Sequence, residues 1–536
     1  MQTFLEGTFF RPQPDVTLKG WNDYSTADYY VFESAAGSLR LRRRGTYPST
    51  FVVCYGPWLY FGYGNQQVAF RALEQPLDKL PESVFYDEEF LCIGVNGDTG
   101  DCIIQRDARC TLPLFVGQQP DRLVLCNKYE RVCELLDTKS LHLHEYGLTT
   151  LLLGAFFDAA PIVKEIDILI DRVRATLFAG KYQKHLPPHG SIIHTVQHRD
   201  GEPQEFRKRL EQTFDAHWER YANGAKAGME LSGGFDSSSL YGYYASRGRE
   251  FYPVSLEYAD ASSRNILHDK LNNLQARFGG ESHLIPMDVR QDFPLASYVY
   301  EGDRSVFPGE ILYQRSLQKM AAYLKGKGVQ VVFQGHGGDE LFDNVPHYER
   351  QDFKTPLFLE SLKPPLYLTP DFYRVALATF ASSQKPSVPL LSQSAAISGT
   401  YSNNAYIDHD IWPVRPLADP RLYLYCQSLD IQYRMNRNIM RAYLHARDFP
   451  KAIINQTSES FDPFFIESVS FGLTAVFTEL MQHSVLAQKG LVNAAMALEQ
   501  WRTICASSSK VEHVSELFKL YCLLVAEINF RQLGLG

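Results

Sequence analysis

The sequence has no Cys-x-x-Cys pair, no His-Glu-x-x-His motif and no surplus of positive charge. Its nine cysteines (54, 92, 102, 110, 126, 133, 426, 505 and 522) are odd in number and scattered. That pattern argues against a disulfide framework or a zinc site and suits reduced thiols in a packed interior. His185, His189, His194 and His198 gather in one Pro-containing stretch, but without cysteine or a helical spacing they are not read as metal ligands. The most apolar run, Leu148 to Phe157, stops at Asp158, short of the roughly 20 residues a membrane helix needs. No basic segment followed by an apolar core stands at the N-terminal end, so a soluble, cytoplasmic protein without membrane partners is expected. With 53 Lys and Arg against 61 Asp and Glu, the net charge of −8 speaks against general nucleic-acid binding. Repeats and low-complexity tracts are missing as well.

What is present is the composition of a folded protein, 45% hydrophobic and 21% charged over 536 residues, too long for one ordinary core. The aromatic supply, 31 Tyr and 34 Phe, points to large packed interiors. Up to about residue 135 the chain reads as short strands: Tyr47–Gly56, Tyr60–Ala72, Phe90–Val95, Cys102–Arg106 and Leu112–Val116, with a turn at Asn96-Gly97-Asp98. From Tyr146 to about Leu177 the apolar spacing is helical, and Phe178–Gly201 reads as a connection. A helix opens at Pro203, with Phe206, Leu210, Phe214, Trp218 and Tyr221 on one stripe. Short strands then alternate with helices: Gly228–Leu231, Tyr252–Leu256, His283–Met287 and Val329–Gln334, with Leu312–Leu324 helical. This alternation predicts a doubly wound parallel sheet. Beyond about Ser361 the pattern is helical.

Two loops carry chemistry. Leu231-Ser232-Gly233-Gly234-Phe235-Asp236-Ser237-Ser238 lies between a strand and a helix, where open α/β sheets bind ligands. Its glycines let backbone N–H groups approach an anion, and its hydroxyls and the helix N-terminus add donors. Asp236 inside such a cradle would repel a phosphate unless a cation joined it, which implies Mg2+. The spacing is not that of a Walker loop, and no Lys follows. Gln334-Gly335-His336-Gly337-Gly338-Asp339-Glu340 follows the strand at Val329–Phe333 and brings a second acid, Asp339.

Together these motifs resemble the asparagine synthetase class of ATP pyrophosphatases, which includes β-lactam synthetases and lasso peptide cyclases. Gln105-Arg106-Asp107 through Phe115, Arg415-Pro416-Leu417-Ala418-Asp419, Arg437 to Arg441 and Phe449-Pro450 are similar to flanking segments of that class. The resemblance implies two domains. Residues 1–200 would form a degenerate glutaminase-like, β-rich αββα domain with its connection, of the kind that uses an N-terminal nucleophile. Residues 201–536 would form the adenylating domain, a parallel sheet finished by helices. It further implies that Ser232, Gly234 and Ser237 bind the pyrophosphate of ATP and that Asp236 and Asp339 hold Mg2+. Leu231, Gly233 and Ser238 complete the cradle, and Ser255, Gln334 and Gly335 lie near the adenosine. A substrate carboxylate would be adenylated and then captured by an amine.

Three departures shape the functional expectation. Glutamine-hydrolysing relatives begin with a catalytic Cys after Met removal, whereas this sequence reads Met1-Gln2-Thr3. An amine carried by the substrate is therefore favoured over glutamine-derived ammonia. His336 stands where relatives vary, and histidine changes charge near neutral pH, so it is the candidate for general-base or substrate-orienting work, with Asp236 and Asp339 as the other catalytic candidates. Around Ser458 the chain lacks a lysine that relatives keep, so either Lys451, Arg441 or Arg437 serves instead or the acyl-transfer step relies on other groups. The expected reaction is macrolactam closure between a peptide N-terminal amine and an Asp or Glu side chain, with a precursor peptide and its processing protease as partners. The alternatives are a β-lactam-type small-molecule ligase, an ammonia-dependent asparagine synthetase and a non-catalytic nucleotide-binding scaffold. Arg40, Arg42 and Arg44 read as a solvated strand face. Tyr348, Glu257 and Glu310 are minor candidates for the substrate pocket.

Overall fold

The computed structural model describes residues 3–10, 21–34, 37–75, 83–153, 161–170, 172–178, 180–185, 202–257, 261–302, 313–342, 364–382, 399, 402–455, 462–507 and 510–535. Tyr348, Glu310, Ser458, His189, His194 and His198 lie outside the described residues.

The first part is built of two antiparallel sheets laid face to face. In one, the described strands run in the order Ile166–Ile168, Phe115–Gln119, Arg122–Cys126, Leu5–Phe10, Gly37–Arg42, Tyr29–Ser34 and Asn22–Asp23. In the other the order is Lys181–His185, Arg174–Phe178, Cys102–Arg106, Phe90–Asn96, Trp58–Gly64 and Thr50–Tyr55. Their facing side chains, among them Phe9, Leu39, Leu41, Phe61, Ile93 and Ile104, share one core, as alternation along paired strands requires. Helix Gln66–Glu74 covers the outer face of the second sheet through Ala69, Ala72 and Leu73. Helix Tyr129–Leu135 covers the first through Tyr129, Val132 and Cys133. This is the αββα layering expected.

Several boundaries differ from expectation. The stretch Tyr60–Ala72 is not one strand, because Asn65 accepts hydrogen bonds from the Gln67 and Val68 amides at 3.1 and 3.4 Å and starts a helix. Helical spacing after Tyr146 holds only for Glu145–Leu152; Arg174–Phe178 becomes a strand by pairing with Cys102–Arg106. The connection at Phe178–Gly201 contains a further strand, Lys181–His185. The strand read at Leu112–Val116 begins at Phe115.

The second part opens with helix Pro203–Tyr221, whose predicted stripe is buried. Its described parallel sheet has the order His283–Pro286, Phe251–Glu257, Ala227–Glu230, Val331–Phe333 and Trp412–Val414. The last strand was not foreseen within the helical C-terminal pattern; it is three residues long and carries Pro413, so no local signal marks it. Helices Asp462–Gln482, Ala494–Ala506 and Val514–Leu533 form a second core with the outer helix Tyr129–Leu135. Among the described residues one helical stretch, Pro463–Gln488, is apolar enough by length and composition to cross a membrane, and half of its most apolar window is buried inside the chain.

The two parts share one continuous core. Trp412 of the parallel sheet packs on Phe4 and Tyr63, with ring centroids 6.0 and 5.1 Å apart. Arg42 and Arg44 are buried here and face Asp410 at 4.0 and 3.8 Å, so the solvated face expected for them is corrected; only Arg40 of the three points to solvent. Buried Glu89 accepts from Tyr221 Oη at 2.5 Å and Trp412 Nε1 at 3.3 Å. Arg109 pairs with Asp419 at 2.7 Å, and Arg415 donates to the Arg109 carbonyl at 2.8 Å. Beside them His217 donates from Nδ1 to the Thr213 carbonyl at 2.9 Å.

Burial pushes the His217 imidazole down to about 4, against the opposing pull of Asp419. A histidine lowered on folding adds stability that is whole above the unfolded value and is lost as pH falls towards the folded one. Relative to His217→Gln, the native protein should therefore lose about 3 kcal/mol between pH 6.5 and pH 4. Urea midpoints of the two proteins across that range measure it, and parallel curves would refute it.

Candidate active site

In the parallel sheet the chain leaves the central strand Ala227–Glu230 to one side and returns to its other side at Val331–Phe333. Between two strands whose connections diverge, the carboxyl ends leave a crevice. Both glycine-rich loops open into it. The crevice is a cleft of about 400 Å³ lined by Leu231, Ser232, Gly234, Asp236, Ser237, Ser255, Gly335, His336 and Asp339, among others.

The first loop is held by its own hydroxyls. Ser237 Oγ accepts from the Ser232 amide at 3.1 Å and lies 3.0 Å from Ser232 Oγ, which accepts from the Gly234 amide at 3.3 Å. Helix Phe235–Ser246 begins at Gly234 with no side-chain cap, leaving its first amides directed at the cleft. The second loop comes close enough that only glycine fits. A Cβ on Gly335 would stand 2.7 Å from the Ser237 amide nitrogen, and one on Gly338 would collide with the Asp236 carboxylate.

Asp236 and Asp339 meet across the cleft through one side chain, Arg437. Its NH1 lies 3.2 Å from Asp236 Oδ2, and its NH2 pairs with Asp339 Oδ1. Asp236 is 17% exposed and Asp339 71%. Burial, against the opposing charge of Arg437, pushes the Asp236 carboxyl up to about 6. Among the described residues its Oδ1 has no hydrogen-bond partner. A half-buried carboxylate with a bare oxygen, beside a second carboxylate, offers the hard oxygen donors that Mg2+ takes. The residues present thus fit that ion.

Other expected site residues fall differently. Ser238 is fully buried and does not line the cleft; one residue beyond Ser237 on a helix, it is turned by about 100° away from it. Gly233 is likewise absent from the lining and packs against Lys270. Gln334 lies beneath the cleft floor, donating from Nε2 to Glu230 Oε1 at 2.6 Å. The Ser255 hydroxyl is buried, donating to the Leu231 carbonyl and lying 2.7 Å from Ser282 Oγ, so its side chain braces the strand ends. Glu257 pairs with His268 at 2.7 Å, away from the cleft.

Sequence reasoning missed Glu230, which lines the cleft and accepts from Tyr406 Oη as well as Gln334. Its place at the carboxyl end of the central strand was the available signal. It also missed the wall made by Tyr313, Leu317 and Met320, two of them on helix Gln314–Gly326. His336 lines the cleft with its Nδ1 buried and without a hydrogen-bond partner among the described residues.

Residues 205–396 match the family model described as asparagine synthase. That segment is similar to the asparagine synthase family. The match supports ATP-dependent amide synthesis, the chemistry of a carbon–nitrogen ligase. No curated protein matches the chain. Among solved structures, a U34-tRNA thiolase from Methanococcus maripaludis with its [4Fe-4S] cluster is 10% identical; the match covers 58% of this chain and 88% of that one, with a TM-score of 0.24. The glutamine phosphoribosylpyrophosphate amidotransferase of B. subtilis complexed with ADP and GMP is 10% identical over 62% of this chain and 76% of its own, with a TM-score of 0.17. An allosteric regulatory enzyme of purine biosynthesis is 9% identical over 55% and 76%, also with a TM-score of 0.17. At such scores none of these bears on what this chain does.

Proposed function

We propose that the protein activates a carboxylate as an acyl-adenylate and closes a macrolactam, joining a peptide's N-terminal amine to an Asp or Glu side chain. A carboxylate oxygen attacks the α-phosphorus of ATP, the bond to the bridging oxygen breaks, and pyrophosphate leaves. The amine then attacks the acyl carbon, AMP departs, and the amine's proton is taken up by a base.

The observation that carries this reading is the open cleft at the two glycine-rich loops. The cleft of about 400 Å³ reaches solvent and can admit a peptide that brings its own amine. Burial also pushes the thiols of Cys54, Cys92, Cys102 and Cys126 up, away from the thiolate that glutamine hydrolysis requires. Glutamine hydrolysis by these thiols is thus poorly served.

In this mechanism the first-loop amides and the Ser232 and Ser237 hydroxyls would hold the pyrophosphate. Asp236 and Asp339 would hold Mg2+, which when bound neutralises charge on the leaving pyrophosphate. His336, which lines the cleft, would take the amine's proton. His336→Ala should leave adenylation, read as pyrophosphate exchange, nearly unchanged and slow amide formation by about a hundredfold. Equal amide rates would remove His336 from the mechanism. The function itself is tested by pyrophosphate release with candidate peptides and acids, with and without ammonia. Release requiring a peptide that bears both groups supports the proposal. Release requiring free aspartate and ammonia would replace it with an asparagine synthetase, and release on a small amino-carboxylate with a β-lactam-type ligase. No release with any acid would leave a nucleotide-binding scaffold.

A further inference from the structure

Arg437 lies between the two acids to which the proposed mechanism assigns the metal. Its two terminal nitrogens reach Asp236 and Asp339, the only direct link between those carboxylates among the described residues. Its guanidinium lies 5.6 Å from the centre of the Phe235 ring, which Arg441 also covers at 4.6 Å. The backbone beneath it is unusual. Asn436 and Arg437 have φ of 51° and 56°, two successive left-handed residues between helices Ile431–Arg434 and Asn438–Ala446. L-residues adopt that conformation at a cost, and successive ones persist only where surrounding contacts enforce them. Here Arg441 does so, with Nε donating to the Asn436 carbonyl at 3.0 Å and NH1 to that of Ile454.

We propose that Arg437 is a resident counter-ion, holding Asp236 and Asp339 in place of the divalent cation until the magnesium nucleotide loads, and that it must withdraw for the metal to bind. The inference rests on the assignment of those two acids as metal ligands. Left alone they would repel each other, whereas a planar fork can bridge two carboxylates as a single point charge cannot. The arm on Asp339 is largely exposed and is weakened by solvent, so the bridge is easily opened from that side. The arm on half-buried Asp236 keeps the guanidinium within reach afterwards.

The probe is Mn2+ titrated onto the full chain without nucleotide, with free ion followed by electron paramagnetic resonance, so that no turnover is involved. Arg437→Gln should bind Mn2+ at least about tenfold more tightly than the parent, with Arg437→Lys between them. Gln within twofold of the parent overturns the proposal. Lys equal to Arg with only Gln tighter also overturns it, since net charge rather than bridging would then explain the gain. A parallel titration with a non-hydrolysable ATP analogue separates this from the underlying site assignment. If Asp236→Asn does not weaken Mn2+ binding there, the two-acid metal site is itself wrong; if it does while Arg437→Gln matches the parent, only the counter-ion role falls. Should Arg437→Gln fail to fold, the Lys variant carries the comparison: tighter than the parent supports the role, and equal to it overturns the role.

Discussion

Asp236→Asn should lower pyrophosphate release by about a thousandfold or more at saturating substrate. The change keeps the shape of the side chain and removes one charge. It is made at a point where Gly335 and Gly338 bring the second loop against the first, so no other group can move in to replace the lost oxygen. Asparagine can still accept from Arg437 NH1, which keeps the two loops and helix Asn438–Ala446 together. Stability should not suffer. Burial raises the Asp236 carboxyl to about 6, which means that the fold works against the charge, and neutralising it removes that penalty above pH 6. The expected result is a protein that melts no lower than the parent yet no longer forms an adenylate. Release within tenfold of the parent would show that Asp236 is not where the metal and pyrophosphate are held.

Arg109→Ala should cost about 3 to 5 kcal/mol, the range for breaking a buried ion pair by removing one partner. Arg109 is buried where the two parts meet and donates to Asp419 at 2.7 Å and to the carbonyls of Tyr86 and Glu88 at 2.8 and 3.3 Å. Asp419 also caps helix Pro420–Gln427, accepting from the Arg421 and Leu422 amides at 2.9 and 3.3 Å. Without Arg109 that carboxylate stays buried beside His217, which is uncharged near neutral pH, and two backbone carbonyls lose their donor. The same contacts join the antiparallel layers to the segment leading from strand Trp412–Val414. The first denaturation transition should therefore move, whether or not the whole chain unfolds in one step. A midpoint change equivalent to less than about 1 kcal/mol would refute the assignment of this pair as a main tie between the parts.

Much of this site was legible beforehand because its chemistry is local. Ser232-Gly233-Gly234-Phe235-Asp236-Ser237 and Gly335-His336-Gly337-Gly338-Asp339 each follow a strand, and a strand followed by glycines and a helix start leaves few choices for the backbone. The helix Pro203–Tyr221 was legible because its stripe has one period over 19 residues. Elements that failed to show were short or decided by distant partners. Trp412–Val414 is a strand only because Val331–Phe333 lies beside it, and Arg174–Phe178 only because Cys102–Arg106 does. Ser238 belongs to the recognisable motif yet faces the core, since helix geometry decides direction where sequence proximity cannot.

The loop at Ser232–Ser238 and its partner at Gln334–Glu340 were determined by the sequence itself, and with them the class of chemistry. Glycine, hydroxyl and carboxylate at fixed short spacing act through backbone geometry that neighbours in the chain control. What only the tertiary structure decided is which cation sits between the acids and which charges the interface buries. Arg437 is 201 residues from Asp236 along the chain, and a left-handed kink held by Arg441 delivers it. Arg42 and Arg44 looked like a solvated strand face until Asp410 and Trp412 closed over them. A charge's partner is set by packing in three dimensions, and no local pattern carries that information.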